Sequence, residues 1–332
     1  MGLKAYLMYD IGLQRLSYAI KRKKFIEKYY SASDVSDNNE VKKQIVYMAD
    51  GRISPGGLGD RIHGLISLYK FCKENGFEFK ANFCSPFRLH DYFAPNEYNW
   101  DVEPECLTYD IQKAEPLLIF CTFGKYHGTL VQEAIMQHKY LEAMTSDQKQ
   151  YHVYTNAHFA HTPEVYSKLF HELFVPTKPL QDAVNLNKER IGGDYVAVTL
   201  RFQNLLGDFK EANFKALPED ERQGLIETVK NKIKELHDSC HPDKKFLVTS
   251  DSRAFLDTLA DLDFVYTIPG KVVHMTYTPE HNFNLHLKSF VDLMVLADAQ
   301  KLYLLVTGKM FRSGFAQSAS FINAKPYEEI IF

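Results

Sequence analysis

Two short segments carry residue types suited to chemistry on a phosphorylated ligand. The first is Gly56-Gly57-Leu58-Gly59-Asp60-Arg61, between a strand-like run and a helix-like run. Glycines let backbone N–H groups approach a ligand closely, and a helix start adds the positive end of its dipole. Such a turn suits a phosphate or a sugar hydroxyl. The second is Thr199-Leu200-Arg201-Phe202, at the end of another strand-like run. An arginine at the mouth of a parallel sheet puts a permanent cation where α/β proteins bind ligands. A departing pyrophosphate needs that charge. Either segment alone fits a plain βα turn or a surface ion pair. Together they point to a sugar nucleotide held between two α/β domains, and so to glycosyl transfer.

Two further stretches add candidates. Ser250 and Asp251 follow a strand, and either cap the next helix or face the ligand, where Asp251 accepts from a base or ribose. Ser313, Gly314 and Phe315 open the last helix and offer a hydroxyl and amides to phosphates. Asp208, after Gly207, adds a carboxylate near Arg201. Asp60 and His63 are the candidate general bases, and Asp60 ranks first because it ends the glycine turn.

Several patterns are ruled out or weakened. Starting a dinucleotide fingerprint at Gly57 puts Ile62 where the third glycine belongs, although Glu78 lies where a ribose-binding acid would. Gly308-Lys309 lacks the upstream glycine of a Walker loop, and Met310 replaces its Ser/Thr. Asp261-Leu262-Asp263 matches the metal-binding D-x-D of some glycosyltransferases, but it falls where a helix closes and reads as a solvated connection. His158 and His161 have no acidic partner close enough for a metal site, so no metal is expected.

The elements that position these residues follow from pattern and composition. Gln44 to Ala49 is a short apolar run and reads as a buried strand. Asp60 is placed to cap a helix from Arg61 to Asn75, which Gly76 ends. Residues 116–121 and 153–154 read as strands, and 129–146 as a helix. Pro163 opens another helix. Strands at 195–200, 246–249, 264–266 and 302–306 alternate with helices at 221–236, 253–262, 285–299 and 311–322. Alternation of this kind predicts a parallel sheet covered on both faces. Prolines, lysines and Gly192-Gly193 place a boundary near 176–193. The expected domains are 1–180, the side that binds the sugar acceptor, and 181–332, which binds the nucleotide sugar.

Composition sets the class. The chain has 332 residues, 45% of them hydrophobic and 24% charged, enough for two packed domains. A net charge of −3 without a basic tail disfavours nucleic acid as a partner. Five cysteines without paired spacing (Cys72, Cys84, Cys106, Cys121 and Cys240) read as reduced thiols in a cytoplasm. No apolar stretch is long enough to span a membrane. The apolar start, Met1 to Ala19, followed by Lys21, Arg22, Lys23 and Lys24, either packs on its domain or touches the inner face of an anionic membrane.

These motifs resemble those of GT-B fucosyltransferases, the group of bacterial α-1,2- and nodulation-type α-1,6-fucosyltransferases and protein O-fucosyltransferases. Gly56 to Arg61 resembles the family's Gly-Gly-Leu-Gly-Asn-Gln start. Thr199-Leu200-Arg201 with Gly207-Asp208 resembles its His-x-Arg-(Arg)-Gly-Asp segment. Val248 to Asp251 resembles its Ser/Thr-Asp-Asp segment, and Lys288 to Met294 with Ser313-Gly314-Phe315 its C-terminal part. Asp60 and Arg61 stand where the family has Asn and Gln, Thr199 stands where it has His, and Arg201 lies farther from Gly207-Asp208 than usual.

The resemblance implies an α/β fold of two Rossmann-like domains facing a cleft. It implies an inverting, metal-independent glycosyltransferase with GDP-fucose as donor substrate and no separate cofactor. Arg201, Asp60 and His63 would be catalytic. Gly57, Gly59, Arg61, Asp208, Ser250, Asp251, Ser313, Gly314 and Phe315 would bind the donor. The partner would be a glycan or lipid-linked glycan acceptor in surface-polysaccharide or glycoconjugate synthesis. The competing readings are a transferase for another nucleotide sugar, a binding protein that has lost the chemistry, and an NAD-dependent enzyme.

Overall fold

The computed structural model describes residues 18–32, 43–120, 129–147, 149–159, 161–209, 215–270, 272–273, 275 and 281–332. Most of the expected N-terminal apolar segment, the polar loop over 33–42 and Cys121 lie outside the described residues. The chain divides into two compact units. The first takes the described residues of Met1–Pro55, Asp60–Phe83 and Asn99–Ala160. The second takes Gly56–Gly59, Cys84–Tyr98 and His161–Phe332.

The first unit is built on β1 (Gln44–Ala49), β2 (Phe79–Phe83), β4 (Ala114–Leu118) and β5 (Gln150–Tyr154). These form a parallel sheet in the order β2-β1-β5-β4. Five of the six residues of β1 are buried, which is why the strand reads as an apolar run rather than an alternating one. Its helices are α1 (residues 18–29), most of α2 (Leu58–Asn75) and α3 (Leu130–Ala143). Phe25 and Tyr30 pack with Val46, Met48, Ala114, Leu118 and Tyr154 in one apolar cluster. Lys21, Lys23, Lys24 and Lys28 are exposed, whereas Arg22 turns in to Glu115 at 2.7 Å.

The second unit carries a five-stranded parallel sheet in the order β11-β10-β7-β8-β9. Its strands are β7 (Tyr195–Leu200), β8 (Lys245–Ser250), β9 (Val265–Tyr266), β10 (Leu302–Val306) and β11 (Tyr327–Ile331). All six residues of central β7 are buried. The crossovers are α6 (Glu219–Cys240), α7 (Arg253–Asp257), α8 (Phe283–Ala297) and α9 (Phe315–Ile322). On α6, Ile226, Val229, Ile233 and Leu236 form the expected stripe and pack against Val196, Val198, Phe246 and Val248. An antiparallel pair, β3 (Phe93–Pro95) with β6 (Phe174–Pro176), joins the same unit.

Three expectations need correction. The boundary expected near 176–193 falls on α5 (Lys178–Ile191). Pro179 sits in its first turn, where its missing N–H costs nothing, and Leu180, Val184, Asn187 and Ile191 are its buried stripe. The change of unit comes earlier, between residues 160 and 161, because α4 (Pro163–Leu173) packs on α9 and α5 on α8. Asp60 does not cap α2: the helix begins at Leu58, and Asp60 lies in its first turn, where a carboxylate favours the dipole. Residues 253–262 hold only the short α7, followed by turns.

Two glycines in helices give opposite predictions. A Cβ on Gly64, in α2, would stand 2.7 Å from the Thr155 carbonyl oxygen just beyond β5. A Cβ on Gly224, exposed on α6, would meet nothing within 4 Å. Gly64→Ala is expected to destabilise by roughly 1–3 kcal/mol through overpacking. Gly224→Ala is expected to stabilise by about 0.5–1 kcal/mol. Denaturant midpoints of the two variants check both signs.

Candidate functional site

The site in the second unit is set by topology. From β7, the chain steps through β8 to β9 on one side. It then returns over α8 to β10 and β11 on the other. The carboxyl ends of β7 and β10 are therefore a switch point, where crossovers depart to opposite sides and an open crevice forms. Arg201 follows β7, Asp251 follows β8, and the loop from Thr307 to Gly314 follows β10.

Arg201 is held by its neighbours. Its Nε lies 3.2 Å from Asp251 Oδ2, with the arginine side chain 20% exposed and the carboxylate 1%. Its Cζ sits 4.8 Å from the Phe209 ring centroid, a cation–π distance. The Phe311 N–H donates to the Arg201 carbonyl at 3.0 Å, linking the β7 and β10 loops across the switch point. The result is a fixed cation, partly open to solvent.

Asp251 grips the same loop. The Phe202 N–H donates to Oδ1 at 2.9 Å, and the Gln203 N–H donates to Oδ2 at 2.7 Å. The Ser250 hydroxyl donates to Oδ1 at 3.4 Å. Burial pushes this carboxyl up from its ordinary value, while Arg201 and the two amides pull it down. Ser250 also accepts from the Ser252 N–H at 3.1 Å, and Ser252 caps α7 by accepting from the Phe255 N–H. Asp208 Oδ2 accepts from the Ser252 hydroxyl at 3.0 Å and the Ala254 N–H at 2.9 Å. The segment after β7 is thus tied to the β8–α7 turn at Phe202, Gln203 and Asp208.

The glycine turn meets the last helix within this unit. Gly57 and Gly59 group with it, and a Cβ on Gly59 would stand 3.3 Å from Ser318 Oγ on α9. Gly56 has φ of 107°, in the region that favours glycine. At the start of α9, the Ser313 hydroxyl accepts from the Phe315 N–H at 3.3 Å. Gly314 is the N-cap residue, and its carbonyl accepts from the Ser318 hydroxyl at 2.9 Å. Ser318 was not read from the sequence. Only the glycine opposite it could have signalled a close approach.

The remaining predicted residues belong to the first unit. Asp60 is exposed. Arg61 is buried, with Cζ 5.6 Å from the Phe83 ring centroid. Burial lowers its pKa, while Tyr47 and Asp60 raise it. His63 is buried and stacks on His158 at 3.9 Å between centroids. In the second unit, the exposed Asp261 pairs with Lys230 at 2.7 Å. Among the described residues, no group of three or more His, Cys, Asp or Glu could hold a metal ion, and no helix is long and apolar enough to cross a membrane.

Neither a protein-family model nor a curated protein matches this chain. Solved structures do. A mutant of Arabidopsis thaliana FUT1 in complex with GDP superposes with a TM-score of 0.57 at 13% identity, covering 94% of this chain and 74% of that one. The fucosyltransferase NodZ from Bradyrhizobium gives a TM-score of 0.52 at 13% identity, over 85% of this chain and 93% of that one. A NodZ α-1,6-fucosyltransferase soaked with GDP-fucose gives 0.52 at 12% identity, over 85% and 92%. The chain has the GT-B fucosyltransferase-like fold, mixed α/β with parallel sheets.

Proposed function

We propose that this protein is an inverting glycosyltransferase that moves fucose from GDP-fucose to a glycan acceptor without a metal ion. The observation that supports this best is the cation at the switch point: Arg201, just after β7, is held by Asp251 after β8 and by the Phe311 N–H of the β10 loop. Structures of similar fold hold GDP or were soaked with GDP-fucose.

In this reading an acceptor hydroxyl attacks the anomeric carbon as the bond to the diphosphate breaks. Positive charge grows on the sugar and negative charge on the leaving oxygen. Arg201 and helix-start amides near Gly57, Gly59 and Ser313 to Phe315 stabilise the diphosphate. A base takes the hydroxyl proton. Asp60 is assigned that role because it is exposed, whereas His63 is buried. Arg61, buried beside Phe83, is assigned to holding α2 rather than to the donor. Asp208 and Ser250 are assigned to shaping the Arg201 loop.

Thermal-shift screening against GDP, UDP, CMP, dTDP and NAD tests the donor. A ligand binding only the folded state at 100 times its Kd adds about 2.7 kcal/mol, which reads as a rise of a few degrees. GDP alone is expected to give that rise. A rise with UDP alone would replace the donor, and one with NAD alone would replace the enzyme class. Turnover tests the chemistry. Arg201→Ala is expected to lower kcat roughly 10²–10³-fold, the usual cost of losing one donor to a developing charge. Near-normal turnover in that variant would refute the mechanism. Tight GDP binding with no turnover on any acceptor would favour a binding protein.

A further inference from the structure

The sequence offers Asp251 as a contact for the base or ribose, or as a cap for the next helix. Its surroundings assign it differently. An ionised carboxylate offers about four acceptor sites. Four donors already face this one: the N–H groups of Phe202 and Gln203, Arg201 Nε and the Ser250 hydroxyl. The residue is 7% exposed. Gln203, buried and not a glycine, has φ of 54°. A left-handed conformation at such a residue persists only where its surroundings over-determine it. Here the Gln203 N–H donates to Asp251 Oδ2, and that bond holds the turn.

We propose that Asp251 is a positioning residue: it touches no part of the donor, and it fixes the place and direction of the Arg201 guanidinium. It does so by gripping the arginine side chain and the next two amides at once, while the Phe311 N–H holds the Arg201 carbonyl from the other side. The inference rests on the reading of Arg201 as the cation for the donor phosphates. It differs from a general structural role, because the effect of Asp251 on binding must pass through Arg201.

A double-mutant cycle on GDP affinity tests this. Asp251→Asn keeps the shape but places an amide donor among donors. Arg201→Ala and Asp251→Asn are each expected to weaken GDP binding, roughly 10- to 100-fold, as for a hydrogen bond to a charged group. The double variant should bind no more weakly than Arg201→Ala alone. Losses that multiply, or wild-type affinity in Asp251→Asn, would overturn the proposal. If Asp251→Asn fails to fold, Asp251→Glu takes its place in the cycle. A donor-independent readout keeps the two readings separable. In the wild-type protein, the Arg201 Nε–H resonance should exchange slowly with water compared with exposed arginines. Fast exchange would overturn the clamp even if GDP binds. Slow exchange without GDP binding would keep the clamp and sink the function.

Discussion

A parallel sheet forces each crossover to pass over a face of the sheet, so strand ends of one sense meet at one edge. In the second unit this constraint does most of the positioning. The chain leaves β7 towards β8 and later returns to β10 on its other side, so loops from three neighbouring strands share the carboxyl edge. Arg201, Asp251 and the Thr307 to Gly314 loop come together because of strand order, although they are far apart in sequence. The apolar faces of β7, β8 and α6 hold that order in place. Burial of those faces is the main free-energy source, and the polar contacts at the edge refine it.

The polar contacts carry their own logic. A carboxylate buried beside an arginine is costly to leave unpaired, which makes Arg201 and Asp251 interdependent. The desolvation is offset by amide donors from the same loop, so the loop geometry and the ion pair stand or fall together. A cation fixed during folding needs little rearrangement when charge develops on a ligand. A similar arrangement appears in the first unit. Asp50 just beyond β1 accepts from the Arg52 N–H at 3.1 Å and from the Tyr154 hydroxyl at 2.9 Å, shaping the loop that leads to the glycine turn.

The parts legible in the sequence were those written in local pattern. β1, β7 and β10 are buried on both faces and so appear as nearly continuous apolar runs, broken only by Gln44 and Thr199. The α6 stripe and the Thr162 cap with Pro163 are equally local. Other parts were not. β11 is an edge strand with Glu328 and Glu329, which pair with Lys301 and Arg312, so it lacks an apolar signature. β3 and β6 are three residues each, too short to show a period. At the site, Arg201 and Asp251 could be found as types at strand ends. That one holds the other could not, because the Phe202–Asp251 contact spans 49 residues.

The most direct test of the account is a structure of the protein with GDP bound. The account predicts the diphosphate at the carboxyl edge of the second unit's sheet, between β7 and β10, within hydrogen-bond reach of the Arg201 guanidinium. Asp251 would stay bonded to Phe202 and Gln203. A nucleotide seated at the first unit's sheet edge, or a diphosphate out of reach of Arg201, would contradict it.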